Sequence, residues 1–332
     1  MAVTMADITK LRKMTGAGMM DCKNALTQAN NDFDEAVKII REKGKAVAAK
    51  RSDRDASEGC VLVKVDGNFG AMIALKCETD FVANNADFVK LTQDILDAAV
   101  ANRCKTLDEV KALKLGDRTV AEAVTDRSGI TGEKMELDGY NVLEGEGIST
   151  YNHMSKNFLC TMCLLNKPGF EEAGHEVALQ IAAMNPVAVD EASVPQAVKD
   201  NELSVAIQKT KDEQVQKAVD NALKKAGINP AHVDSEDHIE SNTAKGWLTS
   251  EQARQAREII AKIGAETLAS LEQKVQMING IVNGRIQKFL KENTLMEQEY
   301  QLSDDKKTVK EALAAADKEA KVVSFKRFSL SD

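Results

Sequence analysis

The sequence is poor in proline, in aromatic residues and in long hydrophobic runs. Its 332 residues include 4 prolines and 1 tryptophan, and 4% of them are aromatic. No apolar run approaches the roughly 18 residues that a membrane-spanning helix requires. Asp7, Lys10 and Arg12 would interrupt the apolar segment of an N-terminal signal peptide. We therefore expect a soluble protein of the cytoplasm, with enough hydrophobic residues (43%) for a substantial core.

An excess of positive charge is also missing. The formal net charge is -8. Because phosphate backbones repel such a protein, binding to nucleic acid would require a local basic patch. We expect no direct contact with nucleic acid, and instead a protein partner with a basic face.

Motifs for common catalytic chemistries are absent. There is no GxxxxGK[ST] phosphate-binding loop and no G-x-S-x-G nucleophile motif. Gly16-Ala17-Gly18 begins like a dinucleotide fingerprint, but Asp21 occupies the position of the third glycine and the preceding segment is helical. The histidines form no HxxxH or HExxH pair. These absences predict no catalytic residue, no metal site and no cofactor.

The 6 cysteines lack the spacing of a disulfide framework, which is typical of a reducing compartment. Cys160 and Cys163 have the spacing of a redox or zinc motif. They lie in a predicted strand, where residues three apart point to opposite faces. Burial in the core is therefore the favoured interpretation, and a thiol enzyme built on this pair stays an alternative.

Residues 1–45 predict a small helical module. Three short apolar patterns at helical spacing are separated by breaks at 15–18 and 30–32, and Gly44 is the predicted end of the third helix. Residues 46–57 are polar and charged and show no hydrophobic period, which is typical of a linker. We therefore expect the module to be tethered to the rest of the chain.

Two segments predict a β-hairpin followed by a helix. In the first, two apolar runs flank Asp66-Gly67-Asn68, which is a strong hairpin signal. The pattern recurs in GEGISTYNHMSKNFLCTMCLLNK and EVALQIAAM, as an internal repeat. Two such units could pack as sheets covered by helices. We predict an α+β fold with one core subdomain at 58–140 and a second at 141–190 and 285–332.

Residues 191–284 predict a helical hairpin inserted into the second subdomain. The strand signal vanishes there, and one apolar helical stripe ends at Gly227 and Pro230. The return helix is expected to carry one continuous apolar seam, formed by Leu268, Leu271, Val275, Ile278 and Val282. The terminal segment VVSFKRFSL is expected to rejoin the sheet of the second subdomain as a strand.

The stretch CETDFVANNADF, residues 77–88, lies where a predicted strand gives way to a helix. A loop at such a junction is held at both ends and displays its side chains rigidly. Asp80 and Phe81 are therefore candidates for contacting another molecule. The alternative is a local role, in which Asp80 caps a helix or accepts a turn hydrogen bond and Phe81 anchors its own helix. The residues alone favour this local role.

Two motifs carry a resemblance to a known family. They are TGAGMMDCKNAL, residues 15–26, and TDFVAN, residues 79–84, and further similar stretches are EGCVLVKV, GEGISTYNH, LQIAAMNP and GRIQKFLKEN. Together they resemble the translation elongation factor Ts family, the guanine-nucleotide exchange factors of the GTPase elongation factor Tu. The resemblance implies a ubiquitin-associated-like helical module, two related core subdomains and an inserted coiled-coil hairpin.

The resemblance also implies a site and a mechanism. Asp80 and Phe81 would enter the G domain of elongation factor Tu beside its magnesium and phosphate site, while the helical module holds another face of that domain. The factor would bind GDP-bound and nucleotide-free Tu, promote GDP release and GTP rebinding, and catalyse no bond chemistry. The residues implied to contact the partner are Arg12, Met19, Met20, Thr79, Asp80, Phe81 and Val82.

Two alternatives stay open. Some relatives dimerise through the hairpin, which leaves open a homodimer of this chain. A rival interpretation is a non-exchanging coiled-coil interaction protein with a ubiquitin-associated-like head. Such a protein would bind partners without changing how long they retain a nucleotide.

Overall fold

The computed structural model describes residues 2–332, so Met1, the first residue of the predicted module, lies outside the described residues. The chain forms two compact units. The first contains the residues up to Val189 together with Glu299–Asp332, and the second contains Asp190–Gln298. Within residues 2–332, no helix is both long and apolar enough to cross a membrane.

Helices alternate with small antiparallel sheets, which confirms the predicted α+β class. The strands are β1 (Glu58–Asp66), β2 (Phe69–Cys77), β3 (Lys114–Leu115), β4 (Arg118–Thr119), β5 (Glu136–Glu144), β6 (Gly147–Asn152), β7 (Leu159–Leu165) and β8 (Val322–Ser329). The helices are α1 (Met5–Thr15), α2 (Met19–Gln28), α3 (Phe33–Lys50), α4 (Asp80–Ala83), α5 (Ala86–Ala101), α6 (Leu107–Ala112), α7 (Val120–Thr131), α8 (Glu171–Met184), α9 (Gln196–Lys225), α10 (Glu236–Ala244), α11 (Ser250–Gln273), α12 (Val275–Asn293) and α13 (Val309–Ala316).

Helices α1, α2 and α3 form the N-terminal module. Thr4 caps α1 in a capping box with Asp7, and Gly16 ends that helix with a φ of 75°. Asp32 caps α3 by accepting hydrogen bonds from two backbone amides. The buried side chains form one small core, made of Ile8, Leu11, Ala17, Cys22, Ala25, Leu26, Ala29 and Ala36.

Helix α3 does not end where the sequence predicts. It continues through Gly44 to Lys50, so only residues 51–57 of the expected linker lack a helix or strand. Gly44 is buried against Gly129 of α7. Two physical effects extend the helix: the alanines after Gly44 are strong helix formers, and a glycine permits close packing. The predicted boundary at residue 45 therefore differs from the structure, in which α3 packs on the core instead of ending in a tether.

The first unit contains two three-stranded antiparallel sheets. Their strand orders are β1-β2-β5 and β6-β7-β8. The β1–β2 hairpin turns after Asp66, which pairs with Phe69, and Gly67 supplies the left-handed conformation with a φ of 57°. Strand β8 pairs with β7, with Phe325 opposite Cys163. The predicted return of the terminal segment to the second sheet is confirmed.

Strand β5 has no counterpart among the predicted strands. Its sequence, ELDGYNVLE, contains a glycine and several polar residues that obscure the alternation of apolar and polar positions. Gly139 in this strand has a φ of 63° and lies opposite a register shift between Met72 and Ala74 of β2. A Cβ atom at Gly139 would overlap the ring of Phe328 from the other sheet. The glycine is required by tertiary packing, which the local sequence does not reveal.

The two sheets pack face to face, and each is covered on its outer face by a helix. Alternating strand residues point inward and form one buried cluster, which consists of Val61, Met72, Ala74, Leu143, Cys160 and Met162. The outer face of the first sheet packs against α5, with Phe88, Ile95 and Leu96 fully buried. In the second sheet, the Thr161 hydroxyl donates to the Ala178 carbonyl of α8 at 2.7 Å.

The second unit consists of helices α9 to α12, and its return path differs from the prediction in two ways. Helix α11 ends at Gln273 and α12 begins at Val275, with the non-helical Lys274 between them. Of the predicted seam, Leu271, Ile278 and Val282 are buried, whereas Leu268 and Val275 are 43% and 56% exposed. A break without proline or glycine leaves no sequence signal, so the spacing suggested one continuous helix.

The end of the inserted segment also lies later than predicted. Helix α12 runs without interruption through residue 285, and the second unit ends at Gln298. The predicted boundary at 284 therefore falls inside a helix. Arg285 in that helix forms an ion pair with Glu213 of α9, which holds it within the second unit.

Truncation of a buried methionine tests the packing between the sheets. Met72 is fully buried between the sheets, whereas Met5 is 61% exposed on α1. Because Met72→Ala leaves a cavity, we expect it to lower the free energy of unfolding by about 2–5 kcal/mol. Met5→Ala should change it by less than about 0.5 kcal/mol. Denaturant unfolding followed by circular dichroism compares the two, and equal effects would contradict the packing described.

Candidate partner-binding site

The junction between β2 and α5 presents one aromatic side chain to solvent. The short helix α4 begins there, capped by the Thr79 hydroxyl, which accepts a hydrogen bond from the Val82 amide at 3.4 Å. Phe81 in this helix is 85% exposed, more than any other large apolar side chain in residues 2–332. Asp80 beside it is also exposed. The ring is therefore accessible to another molecule, and its contact with a partner stays a prediction.

The backbone before α4 is held by Glu133, a residue 54 positions further along the chain. One oxygen of its carboxylate accepts hydrogen bonds from the backbone amides of Glu78 and Thr79, both at 3.1 Å. The other accepts the Thr79 hydroxyl at 2.6 Å. Hydrogen bonds to a carboxylate are stronger than those between neutral groups. We call this arrangement the Glu133 clamp.

Glu133 is itself fixed at the end of α7. Its amide donates to the Thr131 hydroxyl at 3.3 Å, and its carbonyl accepts a hydrogen bond from the Ser128 hydroxyl. Gly132, with a φ of 75°, ends α7 immediately before it. The clamp therefore ties the junction to a helix of the core.

Glu78 connects the junction to the end of α3. Its carboxylate lies 3.0 Å from the Arg51 guanidinium through each oxygen and 3.3 Å from that of Arg54, and it accepts the Lys134 amide at 2.6 Å. The hydrogen bond from the Lys134 amide, followed by the one from Arg51, lowers the pKa of Glu78 below its usual value. Glu78 therefore stays ionised and able to hold both arginines at neutral pH.

The inner side of α4 packs on its own fold. Ala83 is buried in the core of the first subdomain and Val82 packs against the same core. The Cys77 thiol donates to the Thr79 carbonyl at 3.3 Å, and burial, followed by the nearby Glu133 carboxylate, raises the pKa of this thiol to about 12. Cys77 is therefore a neutral structural group.

The structure contradicts the local roles considered for Asp80 and Phe81, whereas their contact with a partner stays a prediction. Thr79, not Asp80, is the N-cap of α4, and Phe81 faces solvent instead of anchoring the helix. Within the TDFVAN motif, Thr79 and Val82 make contacts inside the chain, while Asp80 and Phe81 form the exposed tip. The motif divides into a supporting pair and a displayed pair.

The other three predicted site residues lie on the N-terminal module. Arg12 is exposed on α1, and Met19 and Met20, at the start of α2, are 44% and 64% exposed. The same module also exposes Met5 and Met14 on α1, which lie outside the predicted site. The seven predicted residues thus occupy two places, the module and the junction, in the first unit.

The cysteine pair in β7 is buried. The Cys160 thiol donates to the Val61 carbonyl at 3.3 Å, between the sheets, and the Cys163 thiol donates to the Gly174 carbonyl at 3.1 Å, under α8. The expected placement on opposite faces is confirmed. Burial raises the pKa of both thiols to about 12. In the described part of the chain, no group of three or more His, Cys, Asp or Glu side chains is arranged to hold a metal ion.

The sequence did not reveal Glu133 or Arg51 as parts of the site. Both support the junction from distant positions, and neither stands in a motif. Only the pairing of chain segments in the fold brings them to Glu78 and Thr79.

Comparisons with known proteins agree on one family. The sequence profile described as Elongation factor TS matches residues 78–332. The chain is 70% identical to elongation factor Ts of Bacteroides fragilis and 68% identical to that of Phocaeicola vulgatus, each over 330 residues and 99% of both chains. It is 42% identical to elongation factor Ts of Porphyromonas gingivalis over 332 residues, which is 100% of this chain and 99% of the relative. The chain therefore belongs to the elongation factor Ts family.

Proposed function

We propose that this chain binds GDP-bound elongation factor Tu and promotes GDP release, so that GTP can rebind. It acts through binding energy alone and makes or breaks no bond. The observation that carries the proposal is Phe81, 85% exposed at the tip of a helix whose base is fixed by the Glu133 clamp. Membership of the elongation factor Ts family supplies the partner.

The energy for this action comes from Phe81. Burial of its ring in a partner contributes about 1.5–3 kcal/mol relative to exposure in water. Because the clamp already orders the backbone of Glu78 and Thr79, little of this energy is lost in fixing the loop on binding. A rigid apolar ring can therefore displace side chains of the partner that support its nucleotide.

Asp80 adds an electrostatic contribution. Placed beside the magnesium and phosphate site of Tu, its carboxylate competes for hydrogen-bond donors that hold the phosphates and repels their negative charge. Both effects weaken GDP binding. Since Asp80 is exposed and adjacent to Phe81, the two side chains can reach one pocket together.

Exchange then follows from thermodynamic linkage. If the factor binds nucleotide-free Tu more tightly than GDP-bound Tu, GDP must bind the complex more weakly by the same factor. Arg12, Met19 and Met20 provide a second contact, for which methionine is well suited because its flexible side chain adapts to irregular surfaces. This contact contributes affinity for Tu and leaves the disturbance of the nucleotide site to the junction.

We also propose a cellular location and an oligomeric state for this chain. The chain works in the cytoplasm, where translation factors act. The second unit can pair with its copy in a homodimer, which the exposed Leu268 and Val275 of that unit favour. Sedimentation of the full chain at increasing concentration tests the pairing.

The first functional prediction concerns Phe81. Phe81→Ala should slow GDP release from Tu by roughly tenfold or more, because the loss of about 1.4 kcal/mol of binding energy already gives a factor of ten. Val323→Ala is the control, since Val323 is 55% exposed on β8 of the same unit. Stopped-flow displacement of a fluorescent GDP measures both variants.

Equal release rates for Phe81→Ala and the unaltered chain would refute the role of Phe81. If the unaltered chain binds Tu without accelerating release at all, the rival interpretation of a non-exchanging interaction protein is correct.

The second functional prediction separates the two contacts. Met20→Ala should raise the concentration of factor needed for half-maximal release and leave the maximal release rate unchanged, because Met20 contributes affinity only. Met5→Ala is the matched control, with the same substitution at a position 61% exposed on the same module. A titration of release rate against factor concentration distinguishes them. A lower maximal rate in Met20→Ala would contradict the division of roles.

A further inference from the structure

We propose that helix α3 is a rigid strut that sets the position of the module contact relative to Phe81, with Gly129, packed against the backbone of Gly44, as its positioning residue. The functional half of this inference rests on the proposed function. The structural half does not, because it concerns the chain alone.

The two ends of α3 are fixed to the two contact regions. Its first turns belong to the module core, where Ala36 is buried and Val37 packs beside it. Its C-cap residue, Arg51, holds Glu78, the residue before Thr79. An α-helix of 18 residues is about 27 Å long. One continuous helix therefore connects the core of the module, whose other helices carry the exposed methionines, to the base of the Phe81 junction.

The middle of α3 is fixed against α7. Gly44 and Gly129 are in direct backbone contact where the helices cross, and a Cβ atom on Gly129 would overlap the Cα atom of Gly44. This approach is closer than any pair of side chains would allow. It fixes both the separation of the helices and the point of their crossing.

Ion pairs one turn away hold the crossing. Arg41 lies 2.7 Å from Asp117 and 3.8 Å from Asp126, which also lies 2.7 Å from Arg118. The Asp126 side chain is 11% exposed. If α3 slid along α7, Arg41 and Asp126 would separate and leave a poorly solvated charge, which costs free energy. These ion pairs therefore oppose sliding.

Helix α7 also connects α3 to the junction, because Glu133 of the clamp lies immediately after its C-terminal end. Two sets of contacts therefore connect the module to Thr79. One runs from Arg51 to Glu78, the residue before Thr79. The other runs from Gly129, which contacts α3, to Glu133, which binds Thr79. A flexible tether would let each contact bind Tu independently. A strut makes the two contacts meet Tu at one fixed spacing, which raises affinity only while the spacing matches.

The two glycines offer a matched pair of variants. At Gly44 a Cβ atom would lie 3.5 Å from the Gly129 Cα atom, which is ordinary contact, whereas at Gly129 it would overlap Gly44. Both changes replace glycine by alanine within a helix and raise its intrinsic helix propensity by a similar amount. Only Gly129→Ala should displace α3 from α7.

The structural test is a distance measurement by pulsed electron paramagnetic resonance. The native cysteines are buried, so spin labels can be directed to Lys23→Cys on α2 and Ala86→Cys at the start of α5, both exposed positions. We expect one narrow distance distribution in the otherwise unaltered chain and in Gly44→Ala, and a displaced one in Gly129→Ala. A broad distribution in the unaltered chain would overturn the strut, with no partner involved.

The functional test uses the same variants without labels. Gly129→Ala should bind nucleotide-free Tu roughly tenfold or more weakly, since a mismatched spacing forfeits simultaneous engagement, while Gly44→Ala should match the unaltered chain. Equal affinities would overturn the functional half. Failure of the proposed function is distinct, because it shows as unchanged GDP release in Phe81→Ala.

A second variant covers the case in which Gly129→Ala does not fold. Arg51→Ala removes the anchor at the C-terminal end of α3, where the Arg51 side chain is 31% exposed. It should broaden the distance distribution and weaken binding to Tu. A narrow, unchanged distribution with unchanged affinity would contradict the strut.

Discussion

The hydrogen bonds to Glu133 are the constraint on which the exposed site depends. One carboxylate accepts the Glu78 amide, the Thr79 amide and the Thr79 hydroxyl, and so fixes the backbone where β2 ends and α4 begins. A phenylalanine on a mobile loop would collapse onto nearby apolar surface. The clamp, together with the packing of Ala83 and Val82 beneath it, prevents this for Phe81. We therefore attribute the exposure of the Phe81 ring to the hydrogen bonds of the Glu133 clamp.

The same support has a cost that the surrounding groups offset. A carboxylate drawn toward the interior loses hydration, and it is tolerated where several donors replace the lost water. Glu133 has three such donors, and Glu78 next to the clamp has Arg51, Arg54 and the Lys134 amide. Because these groups lie at or just beyond the C-terminal ends of α3, α7 and β2, several elements of the first unit together order the junction. This links the stability of the core to the presentation of Phe81.

Much of the fold follows from local sequence, and the exceptions share one physical cause. The hairpin around Gly67 and the terminal strand β8 were predictable because turn chemistry and apolar alternation are local signals. Three features were not predictable: strand β5, the extension of α3 beyond Gly44 and the break at Lys274. Strand β5 and the extension of α3 depend on close packing at Gly139 and Gly44, which leaves no local signal. The break at Lys274 contains no proline and so leaves no signal either. For the candidate site, the motif predicted Asp80 and Phe81, but Glu133 lies 54 residues from Thr79 and only tertiary structure brings it there.

Amide hydrogen exchange in the free chain tests the clamp most directly. The amides of Glu78 and Thr79 should be protected in the unaltered chain, and both should lose protection together in Glu133→Ala. The amide of Leu75, within β2, should stay protected in both proteins and serves as the internal control. Fast exchange of Glu78 and Thr79 in the unaltered chain, or protection that survives Glu133→Ala, would contradict the claim that this carboxylate holds Phe81 in place.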